Sequence, residues 1–100
     1  MYTITNADTE RDSKMPILSV FFGITVFINT RGEHNPPHIH ARYGEYDAAF
    51  DIATGDQIGD FPRRQARLIQ AWIEIHREDL MINWELARTT GECCRIAPLC

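Results

Sequence analysis

The stretch His34-Asn-Pro-Pro-His-Ile-His-Ala-Arg-Tyr-Gly-Glu-Tyr46 decides how the chain around it folds. Gly44 stands at the first central position of a two-residue turn, where a type II′ turn requires a positive φ. Pairing Tyr43 with Tyr46 across this turn sets the register of an antiparallel hairpin over residues 38–52. Since side chains alternate between the faces of a strand, the register separates an apolar face from a polar face. The apolar face is predicted to hold Ile39, Ala41, Tyr43, Tyr46, Ala48 and Phe50, and the polar face His38, His40, Arg42, Asp47, Ala49 and Asp51.

The polar face of this hairpin contains the candidate catalytic and metal-binding side chains. The register places His38 opposite Asp51, and a cross-strand pair of opposite charge contributes roughly 0.2–1 kcal/mol. His40 is opposite only Ala49, which predicts open space above its ring. The two histidine rings are therefore expected side by side on a solvent-facing surface.

Segments on both sides of the hairpin predict further strands and one helix. Strand-forming residues dominate positions 17–29, and Gly23 interrupts them as a turn or bulge between two short strands would. Residues 57–60 predict a short edge strand. Pro62 suits the first position of a helix, which then runs to about Arg88 without Gly or Pro and stops near Gly91.

The predicted helix has a broad apolar stripe suited to covering a sheet. The stripe comprises Ile69, Trp72, Ile73, His76, Leu80, Trp84 and Ala87, widened by Leu68, Ile75 and Ile82. We therefore predict an α+β fold. A small antiparallel sheet of about three to four strands, with the central hairpin 38–52, is covered by one long C-terminal helix, about 62–88.

Length and composition limit the organisation of the chain and its partners. One hundred residues form one domain, predicted as a flexible extension over 1–14, a single domain over 15–90 and a loose tail over 91–100 containing all three cysteines. No apolar run reaches the length of a membrane span, and no secretory leader is evident, so we expect a cytoplasmic protein without a membrane partner. The net charge of −4 disfavours nucleic-acid binding driven by overall charge, but a local basic patch is compatible with it.

Histidine spacing predicts a candidate metal site. His34, His38 and His40 follow a spacing typical of metal ligands, and the i, i+2 pair places two imidazoles on one strand face. Asp51 is a further ligand or a support for His38. Zn²⁺ or another divalent cation is the candidate cofactor. The alternative is a solvated strand face whose histidines balance nearby carboxylates.

The same face also permits general-base chemistry. His38 beside Asp51 forms a carboxylate-oriented imidazole, while His40 with Arg42 is suited to binding a phosphate. Such a set would serve a histidine-based phosphodiesterase or ribonuclease, with or without a metal. No Ser or Cys nucleophile accompanies it, so the sequence leans against an enzyme without deciding the question.

Two other groups of side chains predict binding. Arg63, Arg64 and Arg67 cluster at the helix start, where positive charge opposes the helix dipole. A bound anion, an RNA or DNA backbone or an acidic partner would relieve that conflict; the alternative is a solvated face. Trp72 and Trp84 are either core residues or interface anchors. The leading hypothesis is an interaction module with a small protein partner, and a homo-oligomer is left open.

Several of these stretches together resemble a small bacterial family, the domain of unknown function DUF4160. The resemblance covers about residues 15–99 and rests on Met15-Pro-Ile-Leu-Ser-Val-Phe-Phe-Gly-Ile, His34-Asn-Pro-Pro-His-Ile-His-Ala-Arg-Tyr-Gly-Glu-Tyr, Phe61-Pro-Arg-Arg and Trp72-Ile-Glu-Ile-His-Arg-Glu-Asp-Leu-Met-Ile-Asn-Trp-Glu-Leu-Ala87. Residues 1–14 and the Cys-containing end depart from the family pattern. The resemblance implies one member of a two-gene, toxin–antitoxin-like pair, and it implies no activity, cofactor or catalytic residue.

Overall fold

The computed structural model describes residues 16–29 and 35–99, and within them the fold is α+β as predicted. The strands form one antiparallel sheet in the order β1-β2-β3-β4-β5. The elements are β1 (Ile17–Phe21), β2 (Ile24–Phe27), β3 (His38–Tyr43), β4 (Tyr46–Asp51), β5 (Gln57–Ile58) and α1 (Arg63–Thr89). The sheet has five strands, more than the three to four expected, because Gln57 and Ile58 pair with β4 as a short fifth strand. The predicted extension 1–14 and His34 lie outside the described residues.

The hairpin of β3 and β4 has the predicted register at all six pairs, from His38 opposite Asp51 to Tyr43 opposite Tyr46. Gly44 has a φ of +58°, the left-handed conformation expected at the first central position. Glu45 is not left-handed, because Phe22 is the one non-glycine residue with a positive φ in the described part of the chain. The turn is therefore of the predicted type II′.

The core lies between one face of the sheet and the inner face of α1. From α1, the fully buried side chains include Ile69, Trp72, Ile73, Leu80 and Trp84. Each fully buried aliphatic or aromatic side chain stabilises the fold by about 1.5–3 kcal/mol relative to an exposed one. Opposite them the sheet contributes fully buried residues that include Leu18, Ile24, Val26, Ile39 and Phe50.

The buried stripe of α1 is narrower than predicted. Ile75 and Ile82 were expected to widen it, but they are 65% and 58% exposed. Both lie on the far side of the helix from Ile73 and Leu80, where none of the five described strands covers them. Helical spacing groups apolar residues without showing how wide the covering layer is, so this part of the prediction is wrong.

The C-terminal end of α1 agrees with the sequence signals, whereas at the other end Pro62 is the extended capping residue and the helix begins one residue later than predicted, at Arg63. Thr90 caps the C-terminus by donating its N–H to the Leu86 carbonyl at 2.8 Å, and Gly91 follows with a φ of +78°. Inside the helix, His76 has a non-helical φ of −112° and ψ of 24°, which marks a kink. Within the described ranges, no helix combines the length and the apolar character of a membrane span.

The segment after α1 packs on the domain and is not loose over residues 93–97. Ile96 donates its N–H to the Leu18 carbonyl at 2.8 Å, and its side chain is 7% exposed. The indole Nε1 of Trp72 donates to the Ala97 carbonyl at 2.8 Å. These bonds join the segment to the outer edge of β1 and to the core, a connection that composition alone does not reveal.

Asn83 holds the same segment from the helix side. This side chain is 3% exposed; its Nδ2 donates to the Asp79 carbonyl at 2.9 Å and its Oδ1 accepts the Cys94 N–H at 2.7 Å. Cys93 is half-buried beneath it, and burial, followed by the neighbouring Cys94 thiol, raises the pKa of Cys93 to about 11. Cys93 is therefore a packed neutral thiol.

Candidate functional site

The two described histidines of the predicted site lie side by side in β3, and the His38 ring also contacts Trp84 of α1. The ring centroids of His38 and His40 are 5.1 Å apart. Phe27 stacks on His40 with centroids 5.4 Å apart and ring planes 17° from parallel. The expected open space above His40 is therefore filled. The expectation failed because β2 places Phe27 directly opposite His40, a pairing that the hairpin register does not contain.

Polar contacts reach both histidine rings. Nδ1 of His38 lies 2.8 Å from the Pro36 carbonyl, and since a carbonyl only accepts, this nitrogen carries the proton. The Asn29 side-chain amide contacts Nε2 of His40 at 3.4 Å. The Asp51 carboxylate accepts the Thr54 N–H at 2.9 Å within the following turn. His38 and Asp51 are opposite each other as predicted, and their role as a general-base pair stays a prediction.

Arg42 extends this row of side chains. Its Nε donates to the Asp47 carboxylate at 3.2 Å, which confirms the cross-strand neighbours of the hairpin register. The guanidinium also lies over the Phe27 ring, 5.1 Å from the centroid. Phe27 thus contacts both His40 and Arg42 and organises the face. Sequence reasoning placed Phe27 in a strand but missed this position, because only the pairing of β2 with β3 shows it.

The metal hypothesis finds no complete ligand set among the described residues. No group of three or more His, Cys, Asp or Glu side chains within 16–29 and 35–99 is arranged to hold a metal ion. His34, the third member of the predicted set, lies outside those ranges. A structural Zn²⁺ site needs four ligands. A Zn²⁺ or other divalent-cation site at His34, His38 and His40 therefore stays a prediction.

Both tryptophans are core residues. Trp72 is 0% exposed and Trp84 is 1% exposed, so neither ring is available to a partner. The ring centroids of Trp84 and His38 are 5.2 Å apart, so Trp84 connects the histidine pair, His38 and His40, to the core. Its buried Nε1 has no hydrogen-bond acceptor in the described part of the chain. Of the two alternatives left by the sequence, the structure selects the core for Trp72 and Trp84.

The three arginines at the start of α1 are exposed. Within the described ranges, Arg63, Arg64 and Arg67 have no carboxylate at ion-pair distance, in contrast to Arg42, Arg77 and Arg88. The first turn contains no acidic residue, and the capping position, Pro62, makes no side-chain hydrogen bond. The unfavourable placement of positive charge at a helix N-terminus is therefore present, and no described side chain compensates for it.

A second exposed feature is an apolar row on the outer side of α1, called the outer ridge. It consists of the exposed Ala71, Ile75 and Ile82 and the half-buried Leu86. Ile75 and Ile82 are seven residues apart, which is the spacing of a helix–helix seam, and the kink at His76 lies between them. Leu68, a further seven residues earlier, packs against the core. Beside Ile82 and Leu86 there is a shallow apolar depression of about 410 Å³ that also includes Met81.

Acidic side chains flank the outer ridge. Arg77 donates to the Ile52 carbonyl at 2.9 Å and pairs with Glu74 at 3.2 Å, so its charge is used within the domain. Glu78 and Asp79 are exposed and have no cationic partner at ion-pair distance in residues 16–29 and 35–99. The ridge is therefore an apolar strip with net negative charge beside it.

Over the described residues, the five-stranded antiparallel sheet and the long covering helix define a small α+β domain. The family model described as Domain of unknown function (DUF4160) matches residues 23–85, well over half of the chain, and the chain belongs to this family. The matched range contains His38 and His40, the three arginines at the start of α1 and most of the outer ridge. No curated protein and no solved structure matches the chain.

Proposed function

We propose that this chain is a cytoplasmic protein-interaction module, one half of a small two-protein regulatory pair. Its outer ridge on α1 docks against an amphipathic helix of the partner protein. The single observation that carries the proposal is the exposure of two isoleucines at heptad spacing, Ile75 at 65% and Ile82 at 58%. The two-gene, toxin–antitoxin-like setting is taken from the family resemblance.

The spacing of the ridge separates it from ordinary surface apolar residues. Single exposed apolar side chains occur on every soluble protein and need no explanation. Ile75 and Ile82, however, are both exposed and lie seven residues apart in one helix, a spacing that suits knobs in a seam with a second helix. The inner side of α1 is already fully used by the sheet, so the ridge is available for a separate partner.

Charge indicates the chemistry of the partner. The unpaired carboxylates of Glu78 and Asp79 lie beside the seam and would repel an acidic helix. A helix with apolar residues at heptad spacing and Lys or Arg at the flanking positions complements both features. We therefore expect a basic amphipathic helix on the partner. Salt should slow its association more than it weakens the final complex.

Co-expression with the product of the adjacent gene tests this proposal. The ridge variant is Ile75→Glu with Ile82→Glu, and the matched control is Ile58→Glu, since Ile58 is equally exposed at 59% but lies on β5. Interface anchors contribute 1–2 kcal/mol or more each, so we expect the double variant to weaken the complex by at least about 30-fold. The control should bind as the wild type does.

Size-exclusion chromatography with light scattering distinguishes the outcomes. A heterocomplex that the ridge variant loses and the Ile58 variant keeps supports the proposal. A lone monomer with every adjacent gene product, or equal losses in both variants, contradicts it. A dimer of the chain alone that depends on Ile75 and Ile82 would assign the ridge to a second copy and would also overturn it.

A further inference from the structure

A further exposed feature lies at the N-terminal end of α1. The proposed docking of a partner helix does not use it. Phe22 is 53% exposed at the tip of the β1–β2 hairpin. Its ring and Arg64 line a cavity of about 310 Å³ together with Gln65 and Leu68. This group of residues, with Arg63 and Arg67, is called the Phe22 cleft.

The fold alone does not account for the position of Phe22. The two-residue turn holds Phe22 at a φ of +49° and Gly23 at +77°, both left-handed. Such turns favour Asn-Gly, because a left-handed bulky residue costs about 1–2 kcal/mol. A buried ring would compensate for this by packing, but about half of this ring faces solvent. The edge-on contact with Phe21, with centroids 6.4 Å apart and planes at 88°, holds the ring in place.

The side chains around the cavity supply three kinds of contact. An exposed aromatic ring offers a flat face on which a base can stack. The guanidinium of Arg64, with Arg63 and Arg67 on the same end of the helix, offers fork-shaped donors that match phosphate oxygens. The amide of Gln65 can both donate to and accept from the edge of a base. Leu68 supplies an apolar floor.

We propose that the Phe22 cleft binds single-stranded nucleic acid, with one base stacked on Phe22 and the adjoining phosphates on Arg63, Arg64 and Arg67. An acidic peptide would satisfy the arginines but would leave the aromatic face unused, and a free anion would need neither Phe22 nor the cavity. The combination of ring and guanidiniums therefore selects a ligand that alternates bases with phosphates. The net charge of −4 restricts this binding to the local patch.

Fluorescence anisotropy with labelled eight-nucleotide oligo-U and oligo-dT tests this assignment on the full chain alone. We expect binding at 50 mM salt that weakens steeply at 200 mM. Each arginine changed to alanine should reduce the slope of log K against log salt by about 0.7 for a phosphate contact. Phe22→Ala should weaken binding by about 5- to 150-fold, the equivalent of 1–3 kcal/mol for one stacked base.

Two control variants separate the cleft from general surface effects. Arg88→Ala removes an exposed arginine at the other end of α1, and Tyr46→Ala removes a 46% exposed ring at the other hairpin turn. Both should leave binding unchanged, and thermal melts should show all variants folded. Absence of binding at 50 mM salt, or equal loss in Tyr46→Ala and Phe22→Ala, overturns the proposal. Binding of an oligo-glutamate peptide that depends on the arginines but not on Phe22 would also overturn it.

Discussion

The two sides of α1 contain similar residues with opposite roles. Ile73 is 0% exposed and Ile75, two positions later, is 65% exposed. Both are isoleucines in the same helix, and helical spacing alone grouped them into one stripe. The difference arises because the sheet covers only the inner side, so the inner residue stabilises the fold while the outer one stays exposed and is available for the proposed docking. Each of the following changes tests that division of roles.

The largest expected difference is between alanine substitutions at Ile73 and Ile75. Ile73→Ala should reduce the free energy of unfolding by about 2–5 kcal/mol, because it leaves a cavity in a packed core. Ile75→Ala should change it by less than about 0.5 kcal/mol, as for other exposed sites. Urea unfolding of the two variants measures both values. Equal destabilisation would show that the outer side is also part of the core.

Asn83, buried at 3% exposure next to Trp84, extends the inner side to the C-terminal segment. Asn83→Ala removes the acceptor of the Cys94 N–H and leaves a partly buried donor unsatisfied, so we expect a loss of about 1–3 kcal/mol. The matched control is Thr89→Ala, which removes an exposed hydroxyl bonded to the Glu85 carbonyl. Thermal unfolding should show the control near the wild type. A loose segment would make the two variants indistinguishable.

Phe22 lies in the β1–β2 turn, against the N-terminal end of α1. Phe22→Gly relieves the left-handed φ of +49° but removes a half-exposed ring, and these effects oppose each other. We expect the stability to stay within about 1 kcal/mol of the wild type, measured by urea unfolding. A loss above about 2 kcal/mol would place Phe22 in the core and remove the argument for the Phe22 cleft.

The smallest expected effect on stability comes from Cys93, and it is absent at neutral pH. Burial raises its pKa from the ordinary value of 9.0 to about 11 in the folded state. At neutral pH the thiol is protonated in both the folded and the unfolded state, so the shift does not change the stability there. As pH rises from about 9 to 11 the unfolded chain releases a proton that the folded state retains, so the free energy of unfolding falls.

Two measurements check this behaviour. Cys93→Ala should flatten the decline of the melting temperature between about pH 9 and 11 relative to the wild type. In a Cys94→Ala background, alkylation of Cys93 at pH 8 should be far slower than in the urea-unfolded chain. Rapid alkylation in the folded state would show that the C-terminal segment does not cover Cys93.

The parts of the fold set by local signals could be predicted from the sequence. Gly44 with the alternation on both sides gave the complete register of β3 and β4, and Pro62 with Gly91 bracketed α1. The residue pairs between β2 and β3 could not be predicted, because the loop between these strands has no turn signal that specifies their register. Phe27 was therefore missed as the ring stacked on His40. The docking of the C-terminal segment was missed because it depends on distant acceptors and donors at Asn83 and Trp72.

Isoleucine methyl NMR gives the most direct test of the central claim, that the outer side of α1 binds a partner. The Ile δ1 methyls of this chain are selectively labelled, and the partner protein is titrated into the folded chain. We expect the Ile75 and Ile82 methyls to shift or broaden together with saturation, while Ile58, equally exposed at 59% on β5, stays unchanged. Shifts at Ile58 with Ile75 and Ile82 unmoved would contradict the account.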